Sequence, residues 1–262
     1  MKKRVLLVTF FLLSTILAAC GGKVTTSEGY ELVEEGKFKF ASSGEFAPFS
    51  VTDGSGNMTG FDIEVGEAIA AELGLEPDQE KYTFASIVEG VKSGRFDAAV
   101  ASHTITEERL KEVDFSTPYY YSGAQIFVRP DSDIQTLEDL EGKEIAVSRG
   151  STYASLVSDI SDNIQNYDSD VVALEALNNG RHDAVVTDFV TGREAIGSGM
   201  QLEGRELLDR SEQAVGVAKG NEALLEAIND ALETLRENGK LKEISEKYFG
   251  EDITTDPDAQ EE

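Results

Sequence analysis

Between Lys37 and Phe249 the chain alternates short apolar runs with segments whose apolar residues recur every three or four positions. Phe38 to Ser42, Asp97 to Ala101 and Lys143 to Val147 have the length and near-continuous apolarity of strands buried on both faces. Asp62 to Leu73 predicts a helix capped by Asp62, with Ile63, Ile69, Ala70 and Leu73 on one side and Gly74 at its end. A second helix is predicted from Phe84, carrying Ile87, Val88 and Val91 up to Gly94. Thr106 is placed as the N-cap of a further helix with Arg109 in its first turn, and Thr136 caps a short one over Leu137 to Leu140. The loop from Ser148 to Thr152 leads into another helix. Leu225, Ile228, Leu232 and Leu235 mark an amphipathic helix stopped by Gly239, and a shorter one runs to Phe249. Such alternation of strand and helix argues for parallel α/β layers. Tyr119 to Arg129 and Ala214 to Lys219 interrupt it as extended segments.

The pattern repeats. Gly94-Arg95-Phe96-Asp97-Ala98-Ala99-Val100-Ala101-Ser102 returns at an offset of 86 as Gly180-Arg181-His182-Asp183-Ala184-Val185-Val186-Thr187-Asp188, and Lys37 to Phe46 corresponds to Lys143 to Thr152 at an offset of 106. Two lobes of similar plan follow. The first copy is followed by an arginine at a predicted helix start, where the free N–H groups already favour an anion such as a carboxylate. The second copy ends in Asp188. One half can hold an anion and the other a cation, which suits a zwitterion held between them.

The ends of the chain carry a different signal. Lys2, Lys3 and Arg4 precede an apolar run from Val5 to Leu17, too short to be a comfortable membrane span, and then Ala18, Ala19 and Cys20. This is expected to be a signal peptide over residues 1–19, with residues 20–36 a flexible tether and 251–262, with six acids and no base, a disordered tail. Cys20 is the sole cysteine, so neither an internal disulfide nor a cysteine-based metal site can form. With two distant histidines as well, neither a metal nor a cofactor is expected. The formal charge of −27 would become −30 without residues 1–19, which sets the chain against nucleic acid and anionic membrane surfaces. Such an excess is tolerable where salt screens it, the Debye length being only ~3 Å at ~1 M. His182 is expected to be an exposed turn residue, His103 a satisfied loop histidine, and Tyr119 to Tyr121 packing residues.

Five segments together resemble the family 3 extracellular solute-binding proteins, the polar amino-acid receptors of ABC importers. They are Phe46-Ala47-Pro48-Phe49-Ser50, Gly60-Phe61-Asp62-Ile63-Glu64, Ser93-Gly94-Arg95-Phe96-Asp97, Thr104-Ile105-Thr106-Glu107-Glu108-Arg109 and Val113 to Tyr120. Gly150-Ser151-Thr152 and the second repeat extend the resemblance over residues 37 to 250. Leu17-Ala18-Ala19-Cys20 resembles a bacterial lipobox, which implies lipidation of Cys20 and a place on the extracytoplasmic face of the membrane. The resemblance implies an α/β, two-lobed periplasmic-binding-protein-like fold of type II, with two hinge strands and a ligand cleft between the lobes. Residues 37–127 plus 214–250 would form lobe 1 and 128–213 lobe 2, with crossings near Gly123–Arg129 and Gln213–Lys219.

By the same resemblance Arg109 takes the α-carboxylate of a free amino acid, helped by Ser102, Thr104, Ser151 and Thr152. Asp188 takes the α-ammonium, and Phe46 and Phe84 sandwich the side chain. Basic-amino-acid receptors often carry an acid where Ser43 stands. Glu45 could replace it for a cationic side chain, or Arg149 could meet an acidic or amide one, so both stay as candidates. The partners implied are the amino acid and the ABC permease, with the membrane reached only through the lipid and the protein a monomer. An enzyme of the cyclohexadienyl or arogenate dehydratase kind uses the same fold and would need a general acid, for which Glu45 and His103 are the candidates. A sensing module of a larger receptor would need an output domain, and none is expected after Phe249.

Overall fold

A computed structural model describes residues 23–257. The signal peptide expected over 1–19, the expected lipidation site Cys20 and the last five residues lie outside the described residues. Seven α-helices are present among the described residues: α1 Phe61–Glu72, α2 Phe84–Lys92, α3 Thr152–Ser158, α4 Asp170–Asn178, α5 Phe189–Gly197, α6 Glu222–Glu237 and α7 Lys240–Phe249. None is long and apolar enough to cross a membrane.

Two five-stranded sheets divide the molecule into two lobes. In the first the spatial order is Glu76–Lys81, Lys37–Ser42, Ala98–Thr104, Ser211–Ala218 and Val113–Ser122. In the second it is Ile164–Tyr167, Ile145–Ser148, Ala184–Asp188, Ala124–Val128 and Glu203–Leu207. Both sheets begin with three parallel strands whose order is second, first, third, and both continue with an antiparallel strand supplied from across the hinge. The repeats in the sequence are the first and third strands of each lobe. Their shared aspartate has a shared use. Asp97 accepts hydrogen bonds from the Val33 and Lys39 N–H groups, each at 2.7 Å, and Asp183 accepts from the Glu144 N–H at 2.9 Å. Each ties the start of its strand to an earlier segment of its lobe.

The chain crosses between lobes at Gly123 and again over residues 208–210, between the strands Glu203–Leu207 and Ser211–Ala218. A Cβ at Gly123 would run into the Asp209 carbonyl, so the two crossings touch where a side chain has no room. Ala124 to Phe127 thus stand in the second sheet rather than in lobe 1, and Ser211 to Gln213 stand in the first rather than in lobe 2. Hydrogen bonding rather than hydropathy sets these limits.

The expected tether is held from Val24 to Leu32. Val24–Thr25 pairs with Glu31–Leu32, and Tyr30 and Leu32 are buried in the core of lobe 1. The acidic tail is likewise held as far as Thr254. Ile253 is buried, its carbonyl accepts from the Tyr121 N–H, and Glu251 pairs with Arg193 of α5 at 2.9 Å. In both segments one or two apolar residues suffice to anchor polar sequence.

Three local expectations change. Thr106 accepts from the Arg109 N–H, but only a single 3₁₀ turn, Arg109–Lys111, follows before the strand from Val113. Gly60 with φ 135°, not Asp62, precedes α1, and Asp62 turns inward instead. His182 is buried between Tyr167 and Glu144, 2.6 Å from each. Tyr119 and Tyr120 are packed with Phe49, Phe61 and Phe249 in an aromatic cluster under the hinge.

Candidate functional site

The loops after the parallel strands of both lobes face each other, where an open α/β sheet presents a ligand site. They line one shared cavity between the lobes. From lobe 1 it is lined by Ser43, Glu45, Phe46, Phe84, Ser102, Thr104 and Arg109, and from lobe 2 chiefly by Ser148, Ser151, Thr152, Asp168 and Asp170. The lobes touch on two sides of it. The Ser169 hydroxyl donates to the Glu45 carbonyl at 2.9 Å, and the Arg109 guanidinium donates to the Gly150 carbonyl at 3.1 Å. Gly150 has φ 78° and lies against Ala85, where a side chain would prop the lobes apart.

Arg109 is aimed by its own lobe as well, through a bond of 2.8 Å to the Thr104 carbonyl, and its guanidinium lies 5.8 Å from the Phe84 ring. Burial works against its positive charge and lowers its pKa, so it is a cation waiting for an anion. Phe84 is stacked at 4.5 Å on His103, and Phe46 at 4.8 Å on Phe49. These two rings form apolar walls. His103 is not a satisfied loop residue: it lies within the strand Ala98–Thr104, is buried, and its Nδ1 has no hydrogen-bond partner. Burial pushes its pKa well below the usual histidine range and keeps it neutral.

Two aspartates of lobe 2 stand differently to the cavity. Asp188 does not line the cavity. It caps α5, accepting from the Val190 N–H at 2.8 Å and the Thr191 N–H, at the point where α5 packs on the core of lobe 1. Asp170, the first residue of α4, does line it. The Ser148 hydroxyl donates to one of its oxygens at 2.7 Å and Thr187 to the other at 2.6 Å, which fixes the carboxylate in place. Burial raises its pKa, and these two bonds oppose the rise. The cavity thus has an arginine from one lobe and a carboxylate from the other.

The two candidates for reading a ligand side chain are both ion-paired. Glu45 lines the cavity, but its carboxylate meets Lys81 at 2.8 Å. Arg149 is not among the lining residues and meets Asp168 at 3.1 Å, with more than half of both side chains exposed. Among the described residues no group of three or more histidine, cysteine or acidic side chains is placed to hold a metal ion.

Asp170 and Asp168 escaped the sequence reading, although one signal pointed to the first. The offset of 86 that aligns Gly94 with Gly180 also aligns Phe84 with Asp170, the first residues of α2 and α4. Both line the cavity, because in each lobe that helix starts beside the third strand.

Comparison with known proteins gives one consistent result. The family model described as bacterial extracellular solute-binding proteins, family 3, matches residues 38–251. The L-cystine-binding protein TcyJ of Escherichia coli K12 is 32% identical over 248 residues, 91% of this chain and 93% of that protein. The solved structure of an ancestral arginine-binding protein bound to arginine is 35% identical, with a TM-score of 0.77 over 82% of this chain and 98% of the other. The structure of the ancestral amino acid-binding protein AncCDT-1, a precursor of cyclohexadienyl dehydratase, is 29% identical with a TM-score of 0.76, covering 82% and 96%.

Proposed function

The chain belongs to the bacterial extracellular solute-binding proteins of family 3, and from that premise we propose that it holds one polar L-amino acid between its lobes for an ABC importer. The observation that carries this reading is the placement of Arg109 and Asp170 on opposite lobes around one cavity. A free amino acid is costly to desolvate, and both its charges need partners. Arg109 takes the carboxylate, with Thr104, Ser151 and Thr152 beside it. Asp170, already braced by Ser148 and Thr187, takes the ammonium. Phe46 and Phe84 cover the side chain. An occupant joined to both lobes favours the closed form over the open one, which is how binding drives hinge closure. On this reading the lobes are the two sheets with their helices, divided at Gly123 and at residues 208–210. The closed form is what the permease would receive, and lipid on Cys20 would keep a monomer at the outer face of the membrane.

The dehydratase reading finds less support. Its two candidate acids are Glu45, taken by Lys81, and His103, stacked beneath Phe84 and held neutral by burial. The test is calorimetry of the purified protein against the twenty L-amino acids and L-cystine, with prephenate and arogenate assayed for turnover. Saturable one-to-one binding of at least one polar amino acid without turnover is expected. No binding across the panel, or release of carbon dioxide from prephenate or arogenate, would overturn the proposal.

A further inference from the structure

One carboxylate behind the cavity wall has no part in the site as built so far. Asp62 lies in the first turn of α1 with none of its surface exposed. One oxygen accepts from the Tyr119 hydroxyl at 2.6 Å and the other from the Ser102 hydroxyl at 2.8 Å. The Ser102 N–H donates to the Tyr119 oxygen at 2.9 Å, which closes the three residues into a ring. Ser102 lines the cavity, and among the described residues it is the one non-glycine with a left-handed backbone, at φ 56°. A serine held there is strained, and such strain persists where the surroundings over-determine the backbone. The ring supplies that determination from both the amide and the hydroxyl of Ser102.

The ring also sets the polarity of a hydroxyl at the cavity wall. With Asp62 ionised, Ser102 gives its hydrogen to the carboxylate and keeps its lone pairs free to accept. With Asp62 protonated, the acid donates to Ser102, and the serine hydrogen is released to point elsewhere. The acceptor becomes a donor. The charge facing Asp62 from α5 is that of Asp188, also an acid, while Tyr119 and Tyr120 stay neutral because burial raises both phenols well above their usual range. Glu64, two residues along α1, is taken by Lys247 and Tyr248 of α7.

We propose that Asp62 is a positioning residue of the amino-acid site, which through Ser102 and Tyr119 fixes the strained wall and keeps the Ser102 hydroxyl an acceptor for the ammonium end of the guest. The proposal rests on the cavity being an amino-acid site. It carries a consequence for protons. Burial raises Asp62 to about 7, so near neutral pH it is partly protonated in the empty protein. A bound ammonium favours the ionised form, and binding therefore expels protons.

Calorimetry of the full chain tests this with L-arginine, L-glutamine and L-cystine as probes, at pH 6.5 in two buffers of different ionisation enthalpy. The wild type should release ~0.3 proton or more per bound amino acid. Asp170, whose pKa burial also raises, is the same in every variant, so the readout is the difference between proteins. Asp62→Asn should release fewer protons, bind about tenfold more weakly at pH 8, and approach the wild type at pH 5.5. Ser102→Gly in the Asp62→Asn background should cost nothing further, because glycine takes φ 56° freely. Wild-type affinity, proton release and pH profile in Asp62→Asn would overturn the proposal. If no probe binds even the wild type, the functional reading fails by itself. The ring is then judged in the empty protein by hydrogen exchange of Tyr119→Phe, a variant that removes one hydroxyl. Loss of protection at the Ser102 amide with Val100 still protected supports the ring, and unchanged protection at Ser102 contradicts it.

Discussion

The two lobes are built to one plan and meet the cavity with opposite charges from different elements. Each has parallel strands in the order second, first, third, and each third strand ends beside the cleft. In lobe 1 that strand runs into Ser102 and Thr104, and the cation follows at Arg109, held to its own strand through the Thr104 carbonyl. In lobe 2 the equivalent strand ends at Asp188, whose carboxylate is spent on capping α5. The anion comes instead from the start of α4, at the position that holds Phe84 in lobe 1. A repeated scaffold therefore repeats backbone geometry without repeating duties. A strand end can cap a helix or reach a guest, and which it does depends on whether a helix starts immediately after it.

The sharpest way to break this comparison is to treat the two aspartates alike. Asp170→Asn should weaken amino-acid binding by ~2–5 kcal/mol, because it leaves a buried ammonium without its charge partner. Asp188→Asn should leave affinity within about threefold, since asparagine also serves as an N-cap. Isothermal titration of both variants reads the difference, and equal losses would erase the distinction between the lobes.

The aspartates at the strand starts give a smaller contrast in stability. Asp97 is buried and satisfies two backbone N–H groups, whereas Asp183 is exposed and satisfies one. Asp97→Ala should therefore destabilise the fold by ~2–4 kcal/mol and Asp183→Ala by ~1 kcal/mol, measured by urea unfolding.

Acidity acts on stability through buried carboxylates of both lobes at once. Burial raises Asp62 to about 7 and Asp97 and Asp188 to about 6, all above the ordinary aspartate value. Between roughly pH 4 and 7 the folded protein thus binds these protons more tightly than the unfolded chain. Their contribution is fully present below about pH 4 and is lost as pH rises through 6 and 7. Asp53 and Asp139, lowered by hydrogen bonds from nearby backbone N–H groups, act with the opposite sign, but below pH 4. His103, kept neutral by burial while the unfolded histidine charges below about pH 6.5, opposes the raised carboxylates by ~2 kcal/mol. The ligand-free melting temperature should accordingly fall between pH 5 and 8 by the equivalent of ~3 kcal/mol. Saturation with a bound amino acid should shrink the fall, because an ammonium stabilises the ionised carboxylates.

Much of this architecture was legible in the chain because buried parallel strands leave continuous apolar runs and the Gly-Arg-x-Asp-Ala motif recurs. Arg109 was legible too, through its place after Thr104-Ile105-Thr106. What escaped was decided by neighbours distant in sequence. Nothing around Asp170 distinguishes it from Asp168 until Ser148 and Thr187 are placed beside it, and Asp62 looks like a helix cap until Tyr119 and Ser102 meet it. Tyr30, Leu32 and Ile253 were hidden within polar segments, where a single buried side chain is too little to set a hydropathy pattern.

The central claim is that one amino acid spans from Arg109 to Asp170. Its most direct test is calorimetry with the tightest-binding amino acid of the panel, its methyl ester and its N-acetyl derivative, against the wild type, Arg109→Lys and Asp170→Asn. Blocking either end should cost the wild type at least about tenfold, or ~1.4 kcal/mol. Esterification should cost Arg109→Lys far less than it costs the wild type, since lysine lacks the planar fork that grips both carboxylate oxygens. Acetylation should cost Asp170→Asn far less in the same way, with each variant fully sensitive to the other modification. Variants that respond to both modifications just as the wild type does would contradict the account, because the two charges would then be met elsewhere.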